Sequence, residues 1–325
     1  MLNVLLISEN PPSIYGGIER HCHNIQLLFK DDKDISIHSI SKQQISHKTI
    51  RYINKIIFNR KELIKTIAES ECSVVHIHGF ASFAICQAIY AASKCKKKII
   101  YTAHYHPFEK LERPLLGKLF FYFFLKPILY KVHTIICINQ EDTTFFKRYH
   151  NNVRMIPNWL ASPPETQLNY SSKKSNIILF VGRNDANKSP QYLYDIPSSY
   201  EVHCVTNSSH GLSPNFIYHY KITDEELEKL YKAADLLVVP SRYEAFSYAV
   251  LEALSQGTPV LISNNVRIAD YLTGISGVTI FQYGNHIDFR EKIPIALNQI
   301  VNAKQINEIF SPSKIKKELR NIYLL

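Results

Sequence analysis

The sequence has no Cys-x-x-Cys pair, no Gly-x-Gly-x-x-Gly fingerprint, no internal repeat, no low-complexity segment and no apolar run of membrane-spanning length. Each absence removes a class of protein. The six cysteines (Cys22, Cys72, Cys86, Cys95, Cys137, Cys204) are scattered, several inside apolar runs, which suits reduced thiols in a cytosolic protein and predicts no disulfides. Lack of the glycine fingerprint argues against a dinucleotide oxidoreductase. The aromatic-rich run between Lys118 and Lys126 holds seven residues, whereas a spanning helix needs about 20. The start, Met-Leu-Asn-Val-Leu-Leu-Ile-Ser, has no basic leader and reaches Glu9 too soon for a signal peptide, so it reads as a first buried strand and predicts no export.

What is present is an apolar, unevenly charged chain of 325 residues with 46% hydrophobic content, enough for about two domains with real cores. The net charge of +10 is confined to the first half: residues 1–160 hold 22 Lys+Arg against 12 Asp+Glu, and residues 161–325 hold 16 against 16. One half therefore suits an anionic surface, whether lipid head groups, nucleic acid or a phosphorylated substrate. Apolar runs at 2–7, 74–78, 98–103, 133–138 and 153–156 alternate with amphipathic stretches, as in a parallel sheet covered on both faces. A polar, proline-bearing stretch over 157–175 reads as a linker, and the pattern then restarts with runs at 177–181, 202–205, 216–220, 236–239, 260–262 and 278–281. The predicted fold class is α/β, with two doubly wound parallel-sheet domains, 1–160 and 161–311, facing one cleft.

Four places could carry chemistry. After the first strand, Gly16 and Gly17 sit in a long loop before a helix beginning near Ile18, where backbone N–H groups and the helix dipole can meet a phosphate; the alternative is a simple turn. Arg183 and Lys188 flank a turn at a later strand end and suit a diphosphate, unless they are two solvated surface charges. Glu244 falls in a strand-to-helix turn, where ligands of open α/β sheets bind, and Glu252 follows on the helix. Periodicity groups Tyr248, Glu252, Ser255 and Gln256 on a polar stripe opposite Val250, Leu251 and Leu254, which alone would make Glu252 a solvated side chain. The fourth place comprises His76-x-His78 and His104-x-His106, either of which could offer two metal ligands. Asp is scarce at the neighbouring strand ends, however, and the Asp-x-Asp of Asp32 and Asp34 reads as surface, so no metal is expected.

Residues 110–131 interleave five basic residues with six aromatics. They can lie in a membrane interface through Lys110, Arg113, Lys118, Lys126 and Lys131 with Phe120 and Phe121 at the head-group boundary, or form a core helix with basic ends.

Taken in order, the glycine loop, Val75-His-Ile-His-Gly79, Thr102-Ala-His104, Ile156-Pro-Asn158, Gly182-Arg183 with Lys188, Ala233-Ala-Asp235 and Glu244-x7-Glu252 closing in Gly257-Thr-Pro259 resemble family 4 glycosyltransferases. The resemblance covers nearly the whole chain; the order and the Glu-x7-Glu block are its specific part. It implies the GT-B fold of two Rossmann-like domains with the nucleotide-sugar bound mostly by the C-terminal one, transfer with retention of configuration, a UDP- or GDP-linked sugar donor as substrate, no cofactor and no metal. It assigns Gly16, Gly17, Arg183 and Lys188 to the donor diphosphate, His104 and Glu244 to the transferred sugar, Ala245, Phe246 and Ser247 to the donor loop, and Glu252 to the ribose. The last helix, 312–325, would cross back toward the first domain. Departures that bear on the donor are Ala245 and Ser247 where the family often has glycines, Ser-Pro after Lys188, the segment Val205-Thr-Asn-Ser-Ser-His-Gly211 where a Gly-x-Gly turn is common, and a chain shorter than most members.

The expectation is thus a metal-independent, retaining hexosyltransferase-type enzyme of bacterial surface-polysaccharide assembly, cytoplasmic and peripheral on the inner face of the plasma membrane. Its partners would be a nucleotide-sugar donor, a lipid-linked saccharide acceptor and an anionic membrane, with no nucleic acid. The alternatives are a GT-B sugar-nucleotide 2-epimerase and a non-catalytic anion- or nucleic-acid-binding protein.

Overall fold

The computed structural model describes residues 1–12, 16–50, 55–80, 82–104, 107–108, 113–162 and 176–325. The chain divides into two units, Met1–Ala161 together with Pro312–Leu325, and Ser162–Ser311.

In the first unit, strands β1 (Leu2–Ile7), β2 (Ile35–Ile40), β3 (His47–Ile50), β4 (Lys55–Phe58), β5 (Val74–His78), β6 (Lys98–Thr102), β7 (Thr134–Cys137) and β8 (Val153–Met155) make two sheets. Six of them form a sheet in the order β2-β1-β5-β6-β7-β8, parallel throughout. The other two, β3 and β4, pair as an antiparallel hairpin. Central strands are covered on both faces, which is why they read as unbroken apolar runs. Alternate residues divide between two cores. Leu5, Val75, Ile77, Ile99 and Ile135 pack with α2 (Arg60–Glu69) and α3 (Phe83–Lys94) on one side. On the other side, Val4, Leu6, Val74, Ile100 and Ile136 meet α1 (Gly17–Leu28) and the C-terminal helix, Pro312–Leu324. Along β5, His76 and His78 share this second face with Val74.

Three further helices lie in the first unit or follow in sequence: α4 (Pro114–Phe120), α5 (Gln140–Phe146) and, in the second unit, α6 (Asp224–Ala233). The second unit repeats the plan with β9 (Ile177–Val181), β10 (Glu201–Val205), β11 (Ile217–His219), β12 (Leu236–Val239), β13 (Val260–Ser263) and β14 (Val278–Phe281). They lie in the order β11-β10-β9-β12-β13-β14, again all parallel. Helices α7 (Tyr248–Ser255), α8 (His286–Leu297) and α9 (Ala303–Ile309) complete it, and the C-terminal helix is α10. In each sheet the strand order reverses once, between β1 and β5 and between β9 and β12. The loops leaving those strands are where an open α/β sheet leaves room for a ligand.

Two expectations change. The linker begins later than 157, because Asn158, Trp159 and Leu160 are buried, with Trp159 in the core beneath α10; most of the remaining stretch, 163–175, lies outside the described residues. The Asp-x-Asp is no free surface motif either. Asp32 Oδ2 meets Lys316 Nζ at 3.0 Å and Asp32 Oδ1 meets Arg320 at 3.1 Å, while Asp34 also pairs with Arg320, so the acids hold α10 on the first unit. Lys98 Nζ adds a bond to the Ile322 carbonyl at 2.6 Å, at the helix end where a cation is favoured.

The apolar part of this helix contact should outweigh its charges. Leu319 is 1% exposed, so Leu319→Ala should cost about 2–5 kcal/mol in urea denaturation. Asp32→Asn should cost less, because the Lys316 and Arg320 side chains it leaves behind are each 33% exposed and can hydrate. An Asp32→Asn variant as damaged as Leu319→Ala would reverse that ranking.

Candidate functional site

The second unit gathers its candidate residues at its switch point. Lys188 ends the loop after β9 and Glu244 lies in the loop after β12; Lys188 Nζ donates to Glu244 Oε1 at 2.8 Å, with side chains 21% and 11% exposed. Ser241 Oγ donates to the same oxygen at 2.6 Å. The two loops are knitted around this pair: Arg242 N donates to the Asn187 carbonyl at 2.7 Å and Asn187 Nδ2 to the Tyr243 carbonyl at 3.0 Å. Gly182 matters here for a steric reason, since a Cβ on it would sit 3.2 Å from the Lys188 side chain that crosses it.

Burial alone would push the Glu244 carboxyl up, but the Lys188 ammonium, Ser241 and Ser247 more than offset it, so the group lies below its ordinary value. The site therefore holds an ionised carboxylate that can only accept hydrogen bonds, next to a cation that can only donate them. A sugar hydroxyl suits the first and a phosphate oxygen the second.

The remaining donor candidates divide. Arg183 is 73% exposed and pairs with Asp185 at 3.1 Å, whose other oxygen accepts from the Lys188 backbone N–H at 3.0 Å. Ala245 is half-buried. Phe246 is buried, with its ring packed against Tyr271 and Phe310. Ser247 caps α7 at φ +114, a conformation that L side chains rarely adopt. Such strain collects at ligand-binding loops, and it falls at a position where the resembled family often has glycine. Glu252 is half-buried and accepts from the Tyr231 hydroxyl at 2.8 Å, which anchors it against α6. The expected polar stripe is only partly present, because Ser255 is buried.

In the first unit the histidines assemble differently from their sequence pairs. His76 contributes no free ligand atom: its Nδ1 faces the Tyr323 hydroxyl at 2.9 Å and its Nε2 the Thr102 hydroxyl at 2.7 Å. His78, from the end of β5, gathers instead with His104, just after β6 at φ +40, and with His21 on α1. His106 lies outside the described residues. Sequence reading missed His21 because nothing in a short helix sequence tells which face meets a strand end. Ring centroids of His21 lie 5.3 Å from His78 and 5.2 Å from His104. Burial, with a smaller contribution from neighbouring imidazoles, holds His76 and His78 well below the ordinary histidine value. Burial lowers His21 to about 4 despite its bond to Asn158.

The glycine loop has a more local reason for Gly16. A Cβ there would fall 2.0 Å from Glu19 Oε2, and Glu19 in turn accepts from Asn10 Nδ2 at 2.6 Å. The helix end thus carries an acid of its own, which must swing aside before a phosphate can approach. Gly17 is exposed and an added Cβ would meet nothing within 4 Å, so its backbone is open to a ligand.

The aromatic segment has one buried face and one exposed face. Gly117, Phe121, Leu125 and Leu129, four residues apart, are buried through α4, a π-helical turn (Phe121–Leu125) and a 3-10 turn (Lys126–Lys131). Phe121 is fully buried and cannot meet a head group, and Phe120 is half-buried against Phe83. The outer face instead exposes Leu115, Leu116, Leu119, Tyr122, Phe123, Phe124 and Tyr130. Arg113, Lys118 and Lys126 are exposed and Lys131 is half-buried, while Lys110 lies outside the described residues. Among the described residues no helix is long and apolar enough to cross a membrane.

Comparison with known proteins agrees with this architecture. Residues 17–160 match the family described as Glycosyltransferase Family 4, and residues 204–309 match Glycosyl transferases group 1. The chain is 28% identical over 320 residues to an uncharacterised 41.2 kDa protein in the cps region of Klebsiella pneumoniae, covering 84% of this chain and 85% of that one. A short stretch of 43 residues, 13% of this chain and 11% of the relative, is 51% identical to an O-antigen chain mannosyltransferase B of Escherichia coli. Among solved structures, sucrose-phosphate synthase from Thermosynechococcus elongatus superposes with a TM-score of 0.73 at 14% identity, covering 99% of this chain and 98% of that one. The Anabaena protein HepE in complex with UDP and glucose gives 0.69 at 13% identity, with 99% of both chains covered.

The Lys188–Glu244 pair has a pH signature. A carboxylate with a depressed folded-state value stabilises the fold above its unfolded value of about 4.3 and loses that contribution as pH falls through the folded value. With Lys188→Ala, burial is left to act on Glu244 with weaker opposition, so the acid limb of stability should move to higher pH. Urea midpoints measured from neutral to acidic pH check this; parallel profiles for both proteins would mean the pair does not hold Glu244 ionised.

Proposed function

We propose, from the premise that this chain is a glycosyltransferase of the GT-B fold, that it moves a sugar from a nucleoside-diphosphate donor to a lipid-linked saccharide acceptor, with retention at the anomeric carbon, in surface-polysaccharide assembly. The observation that carries the donor side is the ionised Glu244 held by Lys188 at the switch point of the second sheet. As the bond from the anomeric carbon to the diphosphate breaks, positive charge develops on the sugar and negative charge on the leaving group. One N–H of Lys188 goes to Glu244 and two more can turn to the diphosphate, where a preorganised cation stabilises the transition state more than the ground state. Arg183 can swing from Asp185 to the same anion. Glu244 accepts from sugar hydroxyls, and Glu252, fixed by Tyr231, accepts from the ribose. These cations supply the charge that a metal ion would otherwise supply.

Support for the acceptor side is less direct: the cps-region and O-antigen relatives, and the basic, apolar face of residues 113–131. Contiguous exposed apolar surface marks an interaction site, and its flanking cations select an anionic bilayer as the partner. This face would seat the enzyme on the inner surface of the plasma membrane, where a lipid-linked acceptor is presented. The same positive half does not require nucleic acid.

Replacing Lys188 by Ala should lower turnover of a responsive nucleotide sugar by roughly 10²–10³, the scale of losing one preorganised donor. Arg183→Ala should act in the same direction. Initial rates decide it, and rates in both variants within a few-fold of the unmodified enzyme would remove these cations from the mechanism.

For the membrane, co-sedimentation with phosphatidylserine-containing vesicles should fall with added salt, since each basic side chain near an anionic surface contributes about 1 kcal/mol. Phe123→Ser with Phe124→Ser, and separately Lys118→Glu with Lys126→Glu, should release the protein while leaving nucleotide binding intact. A protein that stays in solution with anionic vesicles at low salt would point to a soluble acceptor.

A further inference from the structure

The three imidazoles of the first unit carry more than the transferase reading uses. Each of His21, His78 and His104 offers one ring nitrogen, and the three atoms lie within 4.8 Å of one another, all in buried side chains. Tetrahedral zinc with Zn–N bonds of about 2.0–2.1 Å needs its nitrogens roughly 3.3 Å apart, a gap that small side-chain rotations close.

Two further observations point to a ligand. Both nitrogens of His78 and Nε2 of His21 are buried with no hydrogen-bond partner among the described residues. Burying such groups unpaired is costly. His21 Nδ1 lies 2.7 Å from Asn158 Oδ1. An amide oxygen can only accept, so Nδ1 carries the proton, and Nε2 presents its lone pair toward the other two rings. That second partner fixing the tautomer is the arrangement metal-binding histidines use. His76 behaves oppositely, with both nitrogens engaged by hydroxyls, so the cluster separates one structural histidine from three that converge.

We infer that His21, His78 and His104 form a binding site for a single divalent transition-metal ion of the zinc type, which acts as a reversible inhibitor and not as a cofactor. Three imidazole nitrogens suit Zn²⁺ or Co²⁺; hard ions such as Mg²⁺ require oxygen ligands. Inhibition rests on the contact with the transferred sugar that the family resemblance implies for His104. Binding does not rest on it.

The test titrates untagged, metal-free protein with Co²⁺, whose visible d–d absorption reports four- or five-coordinate nitrogen ligation, and with Zn²⁺ by calorimetry. One Zn²⁺ per chain is expected, with no response to Mg²⁺. Asn158→Ala should weaken Zn²⁺ affinity by about 10–100-fold, the effect of losing a partner that orients a ligand. His78→Ala should weaken it further and abolish the Co²⁺ band, and His21→Asn serves as the second ligand variant should His78→Ala fail to fold by circular dichroism. His219→Ala is the control for zinc held by the His203–His219 pair of the second unit, whose nitrogens lie 3.0 Å apart. It should leave the stoichiometry unchanged. Absence of the Co²⁺ band in the unmodified protein, or Zn²⁺ binding that survives in folded ligand variants, overturns the site. If the metal binds as described but turnover in chelator and in stoichiometric Zn²⁺ is the same, the site stands and the role given to His104 falls.

Discussion

A carboxylate sunk at the end of a parallel sheet stays ionised only if something opposes its desolvation, and in this chain that is Lys188. Much of the second unit's organisation follows from bringing the two together. The strand order reverses between β9 and β12, so the loops leaving those strands become neighbours. Gly182 lets the lysine lie flat across the first loop, Asn187 ties it to the second, and Ser241 supplies Glu244 with another donor. The strained backbone at Ser247 belongs to the same construction: the chain must turn sharply to start α7 directly after the acid. Taking one partner from a buried pair leaves the other as a cost, which makes the junction a two-residue unit for folding as well as for chemistry.

The first unit solves a different problem with the same topology. Its switch point lies between β1 and β5, where neutral, buried imidazoles stand at the strand ends instead of an ion pair. Neutral rings tolerate burial more readily than charges do. They also leave ring N–H groups and lone pairs to be satisfied, and the Tyr323 and Thr102 hydroxyls and the Asn158 amide oxygen satisfy some of them. The two units therefore offer unlike chemistry: a charged donor–acceptor pair in the second and a polarisable nitrogen cluster in the first.

How much of this was legible in the sequence follows from the range of each signal. Strand-and-helix alternation is local, so the apolar runs at 74–78, 177–181 and 236–239 marked strands and, by their continuity, a parallel sheet covered on both faces. The Glu-x7-Glu block is local too, and its turn and helix are where the pattern put them. What escaped was tertiary. That His21 would join His78 and His104 depends on which side of α1 meets the sheet; that Asp32 would clamp a helix 288 residues away depends on the return of the chain. Phe121 misled for a related reason: in an aromatic run every residue has the same character, and only the buried column of Gly117, Phe121, Leu125 and Leu129 distinguishes inside from outside.

The return of α10 also has a consequence for how the protein comes into being. Val4, Ile100, Ile136 and Trp159 are made early, but the residues that cover them, Ile315, Leu319, Ile322 and Tyr323, are made only after the whole second unit. Domains ordinarily fold in the order in which they leave the ribosome, and here that order is broken. The second unit has its whole sequence available before the first unit has its own, so the unit that begins first is finished last. Until α10 has been made, α1 alone covers part of that face of the first sheet, and a chain that stops short of Leu319 has an open core, a species that quality-control chaperones and proteases recognise.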